Sequence, residues 1–271
     1  MRVAVAGGTG LLGQHLVALL RQAGTEPVVL ARSRGIDITT GAGLDAALAG
    51  AEVVIDVSNV ATLSKKRSVR FFTAGTTRLL QAGARAGVRH HLALSIVGID
   101  QVGWGYYAGK LSQEGLIRNG ELPWTVLRAT QFHEFAEQLL ARSPGPLVMV
   151  PRLGVQPVAA CEVAARLVEL ALGPAVGMAP ELAGPQVREL VELVRQVVGA
   201  RGQRRLVVPV PIPSAAARSG LLPAGQSDYT RGIQSFEDWL RSTGPTGPTG
   251  PTRPTGPASP TGGPIAESPG S

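Results

Sequence analysis

The opening thirteen residues, MRVAVAGGTGLLG (1–13), decide how the rest of the chain is read. Residues 2–6 form a short apolar run of the kind that makes a strand buried on both faces. It runs straight into Gly7-Gly8-Thr9-Gly10-Leu11-Leu12-Gly13, after which the apolar spacing turns helical. Gly7 permits a tight turn, Gly10 lets backbone approach a phosphate, and Gly13 lets helix pack close to strand. Thr9, Gly10, Leu11, Leu12 and Gly13 thus open a helix whose first N–H groups and dipole favour an anion. In a chain with 35 glycines such a trio is weak evidence alone. Between the first strand and the first helix it becomes a specific sign of nucleotide binding.

Working outward, strands are expected at 27–31, 52–57, 91–95, 124–128 and 147–150, with helices at 11–23, 44–48, 69–86, 107–119, 160–172, 185–199 and 235–240. Strand alternating with helix implies an α/β fold, a Rossmann-type doubly wound parallel sheet with helices on both faces. Past residue 144 the alternation loosens, so a dinucleotide-binding domain is expected over 1–150 and a small substrate cap, partly interleaved with it, over 151–242. From 243 to 271 the chain is almost wholly Gly, Pro, Thr and Ser. Such a segment has little to bury and is expected to form a disordered tail.

The ends of the strands carry the candidate ligand residues, because open α/β sheets bind at their carboxyl edge. The second strand ends in Ala31-Arg32-Ser33-Arg34. No acid stands there to grip a ribose 2′-hydroxyl, and two arginines suit a 2′-phosphate, so NADP(H) is favoured over NAD(H). Asp37 reads as loop structure. The third strand ends in Val57, Ser58 and Asn59, which are expected to line the nucleotide pocket. The basic run 64–70 reads as a solvated helix start.

Downstream, GWGYYAGKLSQE (103–114) sets Tyr106 four residues before Lys110, on one face of a helix. With three Tyr and three Lys in 271 residues, chance gives such a spacing only about 3% of the time. A phenol is a usable acid at neutral pH, and an ammonium one turn away is expected to lower its pKa and ease proton transfer. Tyr107 is the rival, expected to pack inward or face substrate. Gln131, Phe132 and His133, after the fifth strand, are candidates for the substrate side. His90 and His91 read as structural.

GGTGLLG, VIDVSN, HHLALSIVGID, GYYAGKLSQE and LPWTVLRATQFHEF, in this order, resemble the atypical short-chain dehydrogenase/reductases of the NmrA-like type. The resemblance implies a Rossmann domain with a small carboxyl-terminal cap and a nicotinamide cofactor, usually NADP(H). It implies catalytic roles for Tyr106 and Lys110, with Ser95 assisting; Lys110 would also hold the nicotinamide ribose. Some members lack the pair and act as redox-sensing regulators. Two departures are Arg128-Ala129 for Arg-Pro, at the end of the fifth strand, and Cys161-Glu162 where Asp is common, within the cap.

Composition bounds the alternatives. The net charge of +7 suits a phosphate-bearing ligand, but no arginine block interleaved with aromatics suggests nucleic acid. No apolar run approaches the ~18 residues of a membrane helix, so no membrane partner is expected. Cys161 is the only cysteine, which fits a reducing cytoplasm. No metal site is assigned. The leading expectation is an NADP(H)-dependent oxidoreductase acting on a small carbonyl or alcohol. The alternative is a catalytically silent NADP(H)-binding regulator that works through a protein partner. A sugar-nucleotide epimerase would use the same pair but normally has a larger substrate domain.

Overall fold

A computed structural model describes residues 1–101, 105–211, 221–223 and 229–244. In chain order the described elements begin β1 (Arg2–Ala6), α1 (Leu11–Gln22), β2 (Glu26–Leu30), α2 (Leu44–Leu48), β3 (Val53–Asp56) and α3 (Lys65–Ala86). There follow β4 (His90–Ile96), α4 (Tyr106–Arg118), β5 (Trp124–Ala129), α5 (Phe135–Arg142), β6 (Leu147–Pro151), β7 (Gly154–Val155) and α6 (Ala160–Leu172). The chain continues with β8 (Gly177–Met178), β9 (Glu181–Ala183), β10 (Arg188–Glu189), α7 (Leu190–Ala200), β11 (Leu206–Val210), β12 (Tyr229–Arg231) and α8 (Phe236–Ser242). Most of the expected tail, from residue 245, lies outside the described residues.

The main sheet, eight strands among the described residues, runs β12-β9-β5-β4-β3-β1-β2, with β8 also on β5. Its pairs are parallel throughout. The chain leaves β1 to one side for β2 and then crosses to the other side for β3. The strand order therefore reverses at β1, and a crevice opens at the carboxyl ends of β1 and β3. This is a doubly wound, Rossmann-like sheet.

One face of the sheet packs Val3, Val5, Ile55, Leu92 and Leu127 against Leu16 and Leu20 of α1 and Val163 and Leu167 of α6. The other packs Ala4, Ala6 and Val54 against Leu79 and Ala82 of α3. A separate core joins α5, β6, α7 and α8 through Leu140, Val148, Val150, Val194, Phe236 and Trp239. The expected boundary at 150 therefore does not match the packing. The elements α5 and β6, before it, belong to the cap's core, while α6, after it, covers α1. The strands β8, β9 and β12 extend the main sheet. The unusual Glu162 has a role in this interleaving: its carboxylate accepts the backbone N–H groups of Ile233 (2.7 Å) and Gln234 (3.0 Å), fixing the return into α8.

Candidate active site and nucleotide cleft

The glycine loop folds as its spacing requires. Gly7 adopts φ +81°, and a Cβ there would lie 2.8 Å from Val57 O and 2.9 Å from Ser58 N. Loop and β3 terminus thus approach more closely than any side chain allows. A Cβ on Gly13 would meet Gly7 O at 2.2 Å and Gly8 Cα at 2.5 Å. Gly13 therefore seats the helix on the loop itself, whereas contact with the strand was expected. Gly10 caps α1 with no side-chain hydrogen bond, and the first turn holds no acid. The free N–H groups of that turn face whatever occupies the crevice.

A cleft of about 940 Å³ begins at this loop. Gly7, Thr9 and Gly10 form its floor; Arg32, Ser33, Ile38 and Thr39 form one wall; Val57, Ser58, Asn59, Arg67, Arg70 and Phe71 form the other. Arg32 and Ser33 thus line the cleft, while Arg34, exposed on the same single turn of 3₁₀ helix, is not among its walls. Leu11 is partly exposed at the start of α1, and Leu12 is buried in the core beneath it, so both would act through backbone only. Asp37 accepts Thr39 N and Thr39 Oγ1, each at 2.7 Å, which holds its carboxyl below the usual range and closes the loop. Sequence reasoning missed Arg67 and Arg70. The run 64–70 starts α3, capped by Ser64, whose Oγ accepts Arg67 N, and the packing of α3 turns these two arginines into the cleft.

Asn59 links this cleft to the tyrosine. The Tyr106 hydroxyl donates to Asn59 Oδ1 at 2.8 Å. Phe72 of α3 holds the phenol edge-on, with ring centres 5.6 Å apart, and Ser68 Oγ donates to Tyr106 O at 2.7 Å. Lys110 is buried. Its ammonium donates to Leu94 O and Gln113 Oε1, both at 2.9 Å, and lies 4.5 Å over the Phe72 ring. Gln113 in turn donates to Asp56 Oδ2 at 2.8 Å, and Asp56 accepts Ser58 N at 2.9 Å. Neither Gln113 nor Asp56 stood out in the sequence, since an amide and an acid inside amphipathic elements carry no local signature.

The electrostatics depart from expectation. Burial, helped by the Tyr107 phenol and the Asp56 carboxylate, pushes the Tyr106 phenol above its ordinary pKa, where a lowered value was expected. Burial likewise brings Lys110 down to about 8, against the opposing pull of Asp56 and Glu114. Desolvation first, then the Tyr107 phenol and the Asp56 carboxylate behind the strand ends, thus keep the phenol protonated.

The remaining candidates are scattered. Ser95 Oγ is buried with no hydrogen-bond partner; strand alternation puts it on the face of Ala93, which packs on Ile117 of α4. Tyr107 stacks edge-on to Tyr106 and packs on the cap core. Gln131 is half-buried with both amide atoms unpartnered, and Phe132 packs on the main core. His133 lies in the cap core. It is buried between Phe236 and Trp239, with Nε2 3.2 Å from Gln234 O, and burial lowers its pKa. His90 bonds Thr125 Oγ1 at 2.9 Å and is brought down to about 4 by burial. Arg128 pairs with Asp100 and Glu114 and fixes α4 to β5.

Fold and cleft are those of a doubly wound sheet with a nucleotide-sized crevice at its switch point. Residues 7–145 match the NAD(P)H-binding family, and the chain belongs to it. It is similar to a ceramide reductase of Caulobacter vibrioides, 28% identical over 83% of this chain and 78% of the relative. It is also similar to the (4-alkanoyl-5-oxo-2,5-dihydrofuran-3-yl)methyl phosphate reductase of Streptomyces griseus, 25% identical over 88% and 96%. Its fold matches a UDP-glucose 4-epimerase of Thermotoga maritima (TM-score 0.70, 17% identity, covering 89% of this chain and 96% of the other). It also matches an NAD-bound short-chain dehydrogenase/reductase superfamily protein of Agrobacterium tumefaciens (TM-score 0.66, 17% identity, 89% and 95%). Among the described residues no helix is long and apolar enough to cross a membrane.

Proposed function

We propose that the protein is an NADP(H)-dependent reductase of a small carbonyl compound, with Tyr106 as proton donor. The observation that carries this reading is the hydrogen bond from Tyr106 to Asn59, which puts an acidic proton on the wall of the nucleotide cleft. The residues present fit the nucleotide. Gly7 and Gly13 close the loop tightly on β3 and on itself, Gly10 presents bare backbone to the cleft, and the uncapped end of α1 offers N–H groups to a phosphate there. Arg32 on one wall and Arg67 and Arg70 on the other suit a 2′-phosphate, and the one nearby acid, Asp37, is engaged by Thr39. When bound, the nicotinamide supplies hydride.

The chain's own residues supply the rest. Tyr106, held neutral at physiological pH, gives a proton to the developing alkoxide, and Asn59 orients that hydroxyl until substrate displaces it. Lys110 holds a positive charge behind the site and stabilises the phenolate left after transfer. Near neutrality the phenol rests in its protonated form, which is the form that reduction uses. The two relatives named as reductases support the same direction.

The test is a screen of ketones and enones of increasing chain length, followed by loss of NADPH absorbance. Turnover on at least one, falling about 10²-fold in Tyr106→Phe, is expected for a lost general acid. Intact nucleotide binding with no turnover on any carbonyl would favour the regulator instead.

A further inference from the structure

The cap carries an apolar face that its own core does not use. Strands β6 and β11 pair in parallel, with Leu147 beside Leu206 and Met149 beside Val208. Alternation sends Val148, Val150 and Val207 inward to the cap core. The other face holds Leu147, Met149 and Leu206, which are 57%, 69% and 62% exposed, with Val208 half-buried between them. Contiguous aliphatic side chains in water mark an interaction surface.

The rim of this face is cationic. The strands are parallel, so their starts share one end, and Arg142 before β6 gathers there with Arg204 and Arg205 before β11. Arg205 ties that end together by donating to Leu140 O (2.9 Å), Gly145 O (3.1 Å) and Ser143 O. Arg152 stands exposed at the far end. The stretches 142–161 and 193–211 hold six arginines and no Asp or Glu. Of these, Arg201 is occupied by Glu137; Arg142, Arg152 and Arg204 are exposed.

We propose that this face docks the protein reversibly on an anionic lipid surface. Aliphatic side chains on a flat two-stranded face would enter the acyl boundary while the arginines meet headgroup phosphates. A second copy fits less well, since face-to-face pairing would bring like-charged rims together. Tyr107 packs on the inner side of the same cap core, so docking would hold the catalytic helix beside the bilayer. The sequence-based expectation of no membrane partner concerned a spanning helix; this surface needs none.

Cosedimentation of the full chain with phosphatidylcholine vesicles, with and without phosphatidylglycerol, tests the proposal without any substrate. Binding is expected only with the anionic lipid and should weaken as salt rises. Leu147→Gln/Met149→Gln should lower it about tenfold or more, while melting temperature and NADPH affinity hold. Arg142→Gln/Arg204→Gln, which leaves the apolar face intact, should abolish the salt dependence and most of the binding. Equal sedimentation with neutral lipid, or full binding by both variants, would overturn the proposal. So would a dimer that the first variant dissociates, or equally tight capture by polyglutamate, which would assign the face to a second copy or an acidic protein.

Discussion

Two adjacent tyrosines have different surroundings. The Tyr106 hydroxyl donates a hydrogen bond to Asn59 on the cleft wall, whereas Tyr107 packs on the cap. Tyr107→Phe should therefore change turnover much less than Tyr106→Phe, and steady-state rates of the two variants check it. Lys110 gives a second handle. Its pKa falls from 10.5 to about 8 on folding, so between those values the unfolded chain binds more protons there than the folded one. Stability contributed by this group therefore rises as pH climbs from about 8 toward 10.5, because the cost of burying its charge disappears. Turnover should fall around pH 8, the lower end of that window, as the folded enzyme loses the ammonium. Melting curves and rates compared with Lys110→Met should show both trends in the wild type and neither in the variant.

At the scale of elements, helix α4 is set by its contact with α3. Gly109, inside the Tyr-x-x-x-Lys spacing, sits so close that a Cβ would fall 2.2 Å from Ser68 Oγ and 2.7 Å from Phe72 Cδ2. Gly109→Ala forces α3 and α4 apart and should cost about 1–3 kcal/mol, the usual range for overpacking. It should also shift Tyr106 from Asn59, so turnover should fall more than stability, as urea unfolding and steady-state rates will show. The same contact explains which elements were legible in sequence. The elements β1, α1 and α4 announce themselves locally, through glycine spacing and the tyrosine–lysine pair. Helix α3 starts four residues before its expected start at 69 because Ser64 caps it, a cue hidden within a basic run. Arg67 and Arg70 read as solvated because only packing decides which helical face meets a cleft. The strands β7 to β10 and β12 were invisible, since two- and three-residue strands depend on distant partners such as Ala129 with Leu182. His133 was misplaced for the same reason: its aromatic neighbours lie about a hundred residues further along the chain.

Across the whole molecule, the reversal of strand order at β1 fixes the cleft, whose walls all come from residues before α4. α6 binds the cap's sequence to the main core, while α5 and β6 reach into the cap. The chain's positive charge has two destinations, the cleft arginines and the rim of the exposed cap face. The central claim is that the cleft holds a nicotinamide dinucleotide and that its arginines select the 2′-phosphate. Calorimetric titration of NADPH and NADH into the wild-type chain and Arg32→Ala tests it most directly. NADPH should bind about tenfold or more tightly than NADH, as charge-assisted phosphate contacts require, and Arg32→Ala should narrow the gap. Equal affinities would contradict the selection, and no binding of either nucleotide would contradict the account itself.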